Sequence, residues 1–477
     1  MSQTVHDWLE ALEDVDDATR EEAAQALAEL GDPRSLDALL AAIEDDYWSV
    51  QVHVGWALAK IGGAKAIEGL ITLFNNNMTE VQAGAVSAMV TMGTTPVPRL
   101  IACLKDERWR VREQAAKSLG SIKDPAAVAA LIIVCRDRDG AVKSAAAEAM
   151  GKIGDPKGIP ALIKLFKDTS KIARETAGTA LVTIGEPSIP ALLETLKDPH
   201  FVIRCHGVRA LGGMTTDYQI GRAWTSDSRV VDALIQALKD EDRAVREDAT
   251  IALGIIGDPL AVDGLMEAMK DGAVKRHAID SLGMIGDARA FPAVLDALKG
   301  KGIQQKGTPT PGCIISEDQL IKEAAATALG HFRNPKVIPD LILLLKDIVL
   351  REYAASSLVL IGDSAIEPMV AFFHDPDASK VEKESERVMA FASARLSASS
   401  ALKKTVSETL EKLGWEPPKE EESEEGKQVE YTNTDTLSKW KGKELDYTDT
   451  DKVLGLEGRF GPSGDFARPA KPPRIER

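Results

Sequence analysis

The residues best equipped for chemistry are four cysteines and seven histidines, and their spacing argues against a reaction centre. Cys103, Cys135, Cys205 and Cys313 form no Cys-x-x-Cys pair, so neither a zinc ribbon nor a thioredoxin-type redox site is expected. His206 follows Cys205, with His200 six positions before it. Neighbouring helix positions point about 100° apart, so Cys205 and His206 do not face one ion together. No Gly-x-x-x-x-Gly-Lys-Ser/Thr loop, Gly-x-Gly-x-x-Gly turn, His-Glu-x-x-His helix or Gly-x-Ser-x-Gly elbow occurs. We expect no catalytic, cofactor-binding or metal-ligating residue and no cofactor. Three of the thiols should be buried on helices, with Cys313 in a loop, as suits a reducing compartment.

The composition explains what the chain builds instead. Apolar residues make up 44% of 477 positions, but aromatics only 5%, with Ala and Leu dominant. That mixture favours helices packed through small side chains. A formal net charge of −16 repels phosphate backbones, so nucleic acid is not an expected partner. No apolar run approaches the ~20 residues of a membrane span, and the first residues are acidic without a signal core. Membrane insertion is therefore not expected, and a cytoplasmic location is.

Elements come from an internal repeat. Segments such as "AMGKIGDPKGIPALIKLFKD" and "ALGIIGDPLAVDGLMEAMKD" recur about every 31 residues, with the glycine at Gly31, Gly62, Gly93, Gly154, Gly185, Gly257, Gly286 and Gly362. Copies without the glycine pass through Lys123 and Arg333. Each copy reads as two amphipathic helices: a first, a short Asp-bearing loop, and a second rich in small residues. The glycine supplies a left-handed cap and Asp-Pro starts the next copy. One pair cannot close its own core, whereas a stack can.

These strings resemble the HEAT repeat, most closely its short variant named after phycobilisome lyases. The resemblance implies an all-α superhelix, a solenoid of about eleven helical pairs, whose concave face is lined by second helices. Arg112, Arg174, Arg204, Arg246 and Arg351 stand early in second helices, four to six positions after an acidic residue. In such arrays these charges form a structural ladder between repeats. Deoxyhypusine hydroxylase, a HEAT-like enzyme, binds iron through His-Glu pairs. None of the seven histidines here precedes a Glu, so that activity is excluded.

The array is expected over residues 1–376, interrupted by insertions at 215–229 and 300–319, with a helical cap at 377–414. The first insertion offers Tyr218, Arg222 and Trp224, types common at interface hot spots. After an acidic linker at 415–430, the tail 431–477 carries a duplicated Tyr-Thr-x-Thr-Asp element and anchors at Tyr431, Trp440, Tyr447, Phe460 and Phe466. These eight side chains are the candidate partner-binding residues. The expected function is a non-catalytic protein–protein interaction scaffold, a subunit or assembly factor of a larger cytosolic complex. One or more proteins would bind through the concave face, the insertions and the tail. The alternative is a lyase-like enzyme or chaperone that attaches a bilin or other cofactor to a client protein.

Overall fold

The computed structural model describes residues 4–213, 216–217, 222–223, 227–300, 317–347, 349–374 and 404–414. Contacts gather the chain into two units, Met1–Thr215 with Trp224–Ala233, and Thr216–Ala223 with Leu234–Arg477. In the first unit the second helices are Asp17–Leu30, Trp48–Ile61, Thr79–Thr91, Trp109–Ile122, Gly140–Ile153, Lys171–Ile184 and Phe201–Gly213. In the second unit they are Arg243–Ile256, Lys275–Ile285, Glu317–His331 and Arg351–Ile361. Each follows a shorter first helix, giving eleven pairs among the described residues. A twelfth first helix, Ile366–His374, and a helix over 404–412 complete them.

Within each unit, each second helix packs on the next. One core position recurs at Leu27, Leu58, Met89, Leu119, Met150, Leu181 and Leu211, and again at Leu253, Leu282, Leu329 and Leu358, all essentially sealed from solvent. Each such side chain is worth about 1.5–3 kcal/mol of burial. Small residues set the helix spacing. A Cβ on Gly120 would lie 2.6 Å from the Ala149 Cα, and one on Gly151 2.8 Å from the Ala180 Cα. In the second unit Gly254 faces Ser281, Gly283 faces Ala328 and Gly330 faces Ser357 just as closely.

The punctuation between copies is local chemistry. Asp32, Asp124, Asp155 and Asp258 each cap a three-residue 3₁₀ turn through the side chain, with Pro in the first position. Gly31, Gly154, Gly257 and Gly286 adopt the left-handed cap conformation expected of them. Gly62, Gly185 and Gly362 share the positive φ but have ψ of −169°, −146° and −151°. There the next helical turn begins immediately after the glycine, and the chain must swing wider to enter it. Lys123 holds the left-handed position at φ 62° with a side chain attached. Lys123→Gly should therefore stabilise the array by about 0.5–1 kcal/mol, read as a higher thermal midpoint.

The first insertion contains a two-stranded antiparallel ribbon, Thr216–Asp217 against Arg222–Ala223. Most of the second insertion, residues 375–403 of the last array segment and cap, the linker and the tail lie outside the described residues. Within the cap, Val406, Thr409, Leu410 and Leu413 are buried.

Candidate interaction surface

In eight second helices, the seven of the first unit and Arg243–Ile256, the fourth position carries a long polar side chain, and in all of these but Lys143 it points back to the loop before it. Its terminal nitrogen donates to the carbonyl six residues earlier: Gln51 to Asp45 (2.7 Å), Gln82 to Asn76 (2.6 Å), Arg112 to Asp106 (2.9 Å), Arg174 to Asp168 (2.6 Å), Arg204 to Asp198 (2.9 Å) and Arg246 to Asp240 (2.8 Å). Arg351 donates likewise to the Leu345 carbonyl at 2.9 Å.

The same side chain reaches forward to the residue twenty-five positions on, in the next copy. Arg20 meets Asp45 (2.7 Å), Arg112 meets Asp137 (2.7 Å), Lys143 meets Asp168 (2.6 Å) and Arg246 meets Asp271 (2.8 Å). Gln51 makes a neutral version, accepting from Asn76 at 2.8 Å. Each receiving carboxylate also accepts the backbone N–H two residues further along its own loop, as Asp137 does from Asp139 at 2.9 Å. One Asp thus closes its turn and holds its neighbour.

Arg20, Lys143 and Gln51 belong to this set although the sequence reading named only arginines from Arg112 on. A uniform six-residue spacing from the loop acid was the available signal: Asp14 to Arg20, Asp45 to Gln51 and Asp137 to Lys143.

Two copies of the first unit break the forward link, and both are one residue short. From Gln82 to Arg112 and from Arg174 to Arg204 the step is thirty, not thirty-one, so the loop acid falls twenty-four positions away. Asp106 pairs with Arg108 instead, at 2.9 Å. Asp198 faces Lys167 at 3.4 Å, and the Arg174 Nε is buried without a hydrogen-bond partner among the described residues. Arg351 Nη2 is likewise buried without a partner among the described residues.

The outward face of the second helices holds apolar side chains that the array does not cover. On helix Trp48–Ile61, Trp48, Val52 and Trp56 follow at four-residue intervals, the two indoles 41% and 37% exposed. The floor continues onto the next helix, where a Cβ on Gly84 would lie 3.2 Å from Val52. Trp109, Ile172 and Phe201 are also exposed, at or next to the first position of their helices. The Arg110 guanidinium lies over the Trp109 ring at 5.0 Å. The sequence reading passed over these residues, although the four-residue interval from Trp48 to Trp56 was visible.

His206 stacks on the buried Phe166 at 5.1 Å between ring centres, and burial holds its pKa down at about 4. Cys103, Cys135 and Cys205 are buried; burial pushes the Cys135 thiol up to about 12. No group of three metal-ligating side chains gathers among the described residues. On the first-helix side, a groove of about 730 Å³ is lined by Leu40, Ile43, Lys65, Glu68, Ile71 and Arg99. The paired Glu68 and Arg99, 2.6 Å apart, lie on its wall. Of the eight expected partner-binding side chains, Arg222 has only its backbone described, in the ribbon, and Tyr218, Trp224, Tyr431, Trp440, Tyr447, Phe460 and Phe466 lie outside the described residues, as does Cys313.

Models of HEAT repeats match residues 5–90, 67–139, 97–182, 129–212 and 189–274, and the PBS lyase HEAT-like repeat matches 274–300 and 321–347. The chain belongs to the HEAT-repeat family. Among solved structures, it is similar to the karyopherin Kap121p bound to the extreme C-terminus of the protein phosphatase Cdc14p (TM-score 0.54, 14% identity, 86% of this chain and 49% of that one). It is equally similar to Kap121p bound to Nup53p (0.54, 15%, 86% and 48%) and to Ste12p (0.55, 14%, 86% and 48%). The chain thus spans about half the length of these structures, and at such identity the likeness is one of fold. No curated protein matches the chain. No helix among the described residues is long and apolar enough to cross a membrane.

Proposed function

We propose that this protein is a non-catalytic interaction scaffold, a subunit or assembly factor of a larger cytosolic complex, that binds proteins through the outward face of its second helices. The observation that carries this reading is the set of large apolar side chains left exposed on second helices, four of them aromatic: Trp48, Trp56, Trp109, Ile172 and Phe201. Exposed aromatics on a rigid surface are the groups that anchor partners. Kap121p, similar in fold, has been solved with protein segments bound, which supports the same use of this fold. The insertions at 215–229 and 300–319 and the tail supply further contacts in this reading.

Affinity purification of the full chain tests it. A stoichiometric protein partner is expected, and replacing Tyr431 and Tyr447 together with Ala should weaken one partner without shifting the thermal midpoint. Recovery of the chain alone, at every salt concentration tried, overturns the reading. The matches to PBS lyase-type repeats keep one rival in view, and a visible-absorbing chromophore copurifying with the chain would favour it.

A further inference from the structure

The geometry points to a specific occupant for the stripe on helix Trp48–Ile61: we propose that Trp48, Val52 and Trp56 bind an extended basic peptide segment of a partner, with Lys or Arg at positions i and i+4. This deepens the scaffold reading and rests on it.

The spacing supplies the first argument. Eight helical residues separate the two indoles, about 12 Å along the axis. In an extended peptide, positions i and i+4 share a face and lie about 13 Å apart. The rings flank Val52 one turn to either side, and Gly84 on the next helix leaves the floor low. A backbone can therefore run along the stripe with alternate side chains set over the rings.

Charge supplies the second argument. Residues 4–32, which form the neighbouring pair, hold ten Asp and Glu against one Arg. Arg20, that lone cation, is taken up by Asp45 and Asp46. Asp17 and Glu22 are exposed and form no ion pair among the described residues, and the exposed Glu80 stands one turn before Gly84 on the next helix. Glu21 faces the stripe helix, accepting from Ser49 and standing 3.8 Å from His53. The Trp48 end of the stripe thus lies beside copies that carry exposed carboxylates, while Lys60, one turn beyond Trp56, reaches back beside Gly31, and a cation brought to the indoles gains both ring and rim.

The third argument is internal. Trp109 occupies the helix position equivalent to Trp48 and is as exposed, and Arg110 of its own chain lies over its ring. The residue after Trp48 is Ser49, and no cation lies over Trp48 or Trp56 among the described residues. The array meets the cation–π demand of one exposed indole and leaves two for a visitor.

The test uses the full chain and a fluorescein-labelled twelve-residue Gly/Ser peptide with Arg at positions 4 and 8, read by anisotropy. A peptide with Arg at positions 4 and 7 is the register control. The 4/8 peptide should bind about fivefold tighter, and Trp48→Ala with Trp56→Ala should weaken it about tenfold. Asp17→Asn with Glu22→Gln keeps the rings and should flatten the salt dependence. Unchanged thermal midpoints establish that both variants fold. Equal affinity for the two registers, or undiminished binding by the tryptophan variant, overturns the proposal. So does tighter probe binding by a Phe460→Ala, Phe466→Ala chain, which would make the chain's own tail the occupant. If the tryptophan variant still captures every partner of the wild-type chain while probe binding fails, the scaffold reading survives and this one does not.

Discussion

Gly120→Leu should abolish the packing of helix Trp109–Ile122 on Gly140–Ile153 and lower the thermal midpoint more than any surface change. Even Gly120→Ala should be destabilising, and magnitudes decide its sign. Removing a mid-helix glycine gains about 1 kcal/mol of helix propensity. Against that, the new Cβ would sit 2.6 Å from a backbone carbon, the Ala149 Cα, and 2.8 Å from its Cβ. Backbone cannot rotate away, so the two helices must separate along their length. Overpacking of this kind costs about 1–3 kcal/mol, more when it propagates. We expect a net loss of about 1–2 kcal/mol for Ala, and loss of cooperative unfolding for Leu. Gly178→Ala is the control: its nearest outside atom, in Phe166, lies 4.0 Å away, and the propensity gain should prevail there. Chemical denaturation of the three variants checks the order.

The second large effect is expected at the link between Arg112 and Asp137. Both side chains are nearly buried, at 6% and 11% exposure. Arg112→Ala strands the Asp137 carboxylate and the carbonyls of Asp106 and Glu107, which the guanidinium also serves. Breaking a buried pair from one side costs about 3–5 kcal/mol. Arg112→Met with Asp137→Leu should recover much of that, falling short by about 1 kcal/mol because the Asp137 side chain also closes its own turn. The pair carries a pH signature too. Burial alone would push the Asp137 carboxyl up; Arg112 and the Asp139 amide outweigh it and hold the group below its ordinary value of 3.8. A pKa lowered by folding means that the unfolded chain binds more protons below pH 4. The stabilisation is thus complete above about pH 4 and lost as pH falls through the folded value. Asp106, held at about 2 by Arg108, extends the same loss to lower pH. Acid titration of unfolding should be visibly shallower in the Met/Leu pair than in the wild type.

Much of this architecture was legible because its signals are local. Gly-Asp-Pro states a cap, a side-chain N-cap and a pre-set φ within three residues, so the pairs could be counted from the sequence. What the sequence hid are consequences of registration between copies. A single missing residue after Gly93 or Gly185 leaves every helix in place. It nevertheless moves the loop acid from the twenty-fifth to the twenty-fourth position after the polar side chain that would receive it, Gln82 in one copy and Arg174 in the other, out of its grasp. Similarly, Leu58 and Trp56 are both apolar on one helix, and only the packing of adjacent copies decides that one is sealed and the other open. The small face of the second helices was readable as a tendency; that Gly120 and Gly151 meet backbone was not.

The Arg–Asp links join turns as well as helices, because each carboxylate both closes its own loop and grips the preceding copy. The array then behaves as a line of coupled switches, each of which is easier to keep closed while its neighbour is closed. In a one-dimensional chain of this kind the weakest coupling sets the size of the cooperative block. Arg174, with its Nε buried without a partner among the described residues and the next loop acid one position too near, is such a weak coupling within the first unit. A repeat shortened by one residue there costs little in helix or core, yet it marks where a fluctuation that opens one side has least reason to spread to the other.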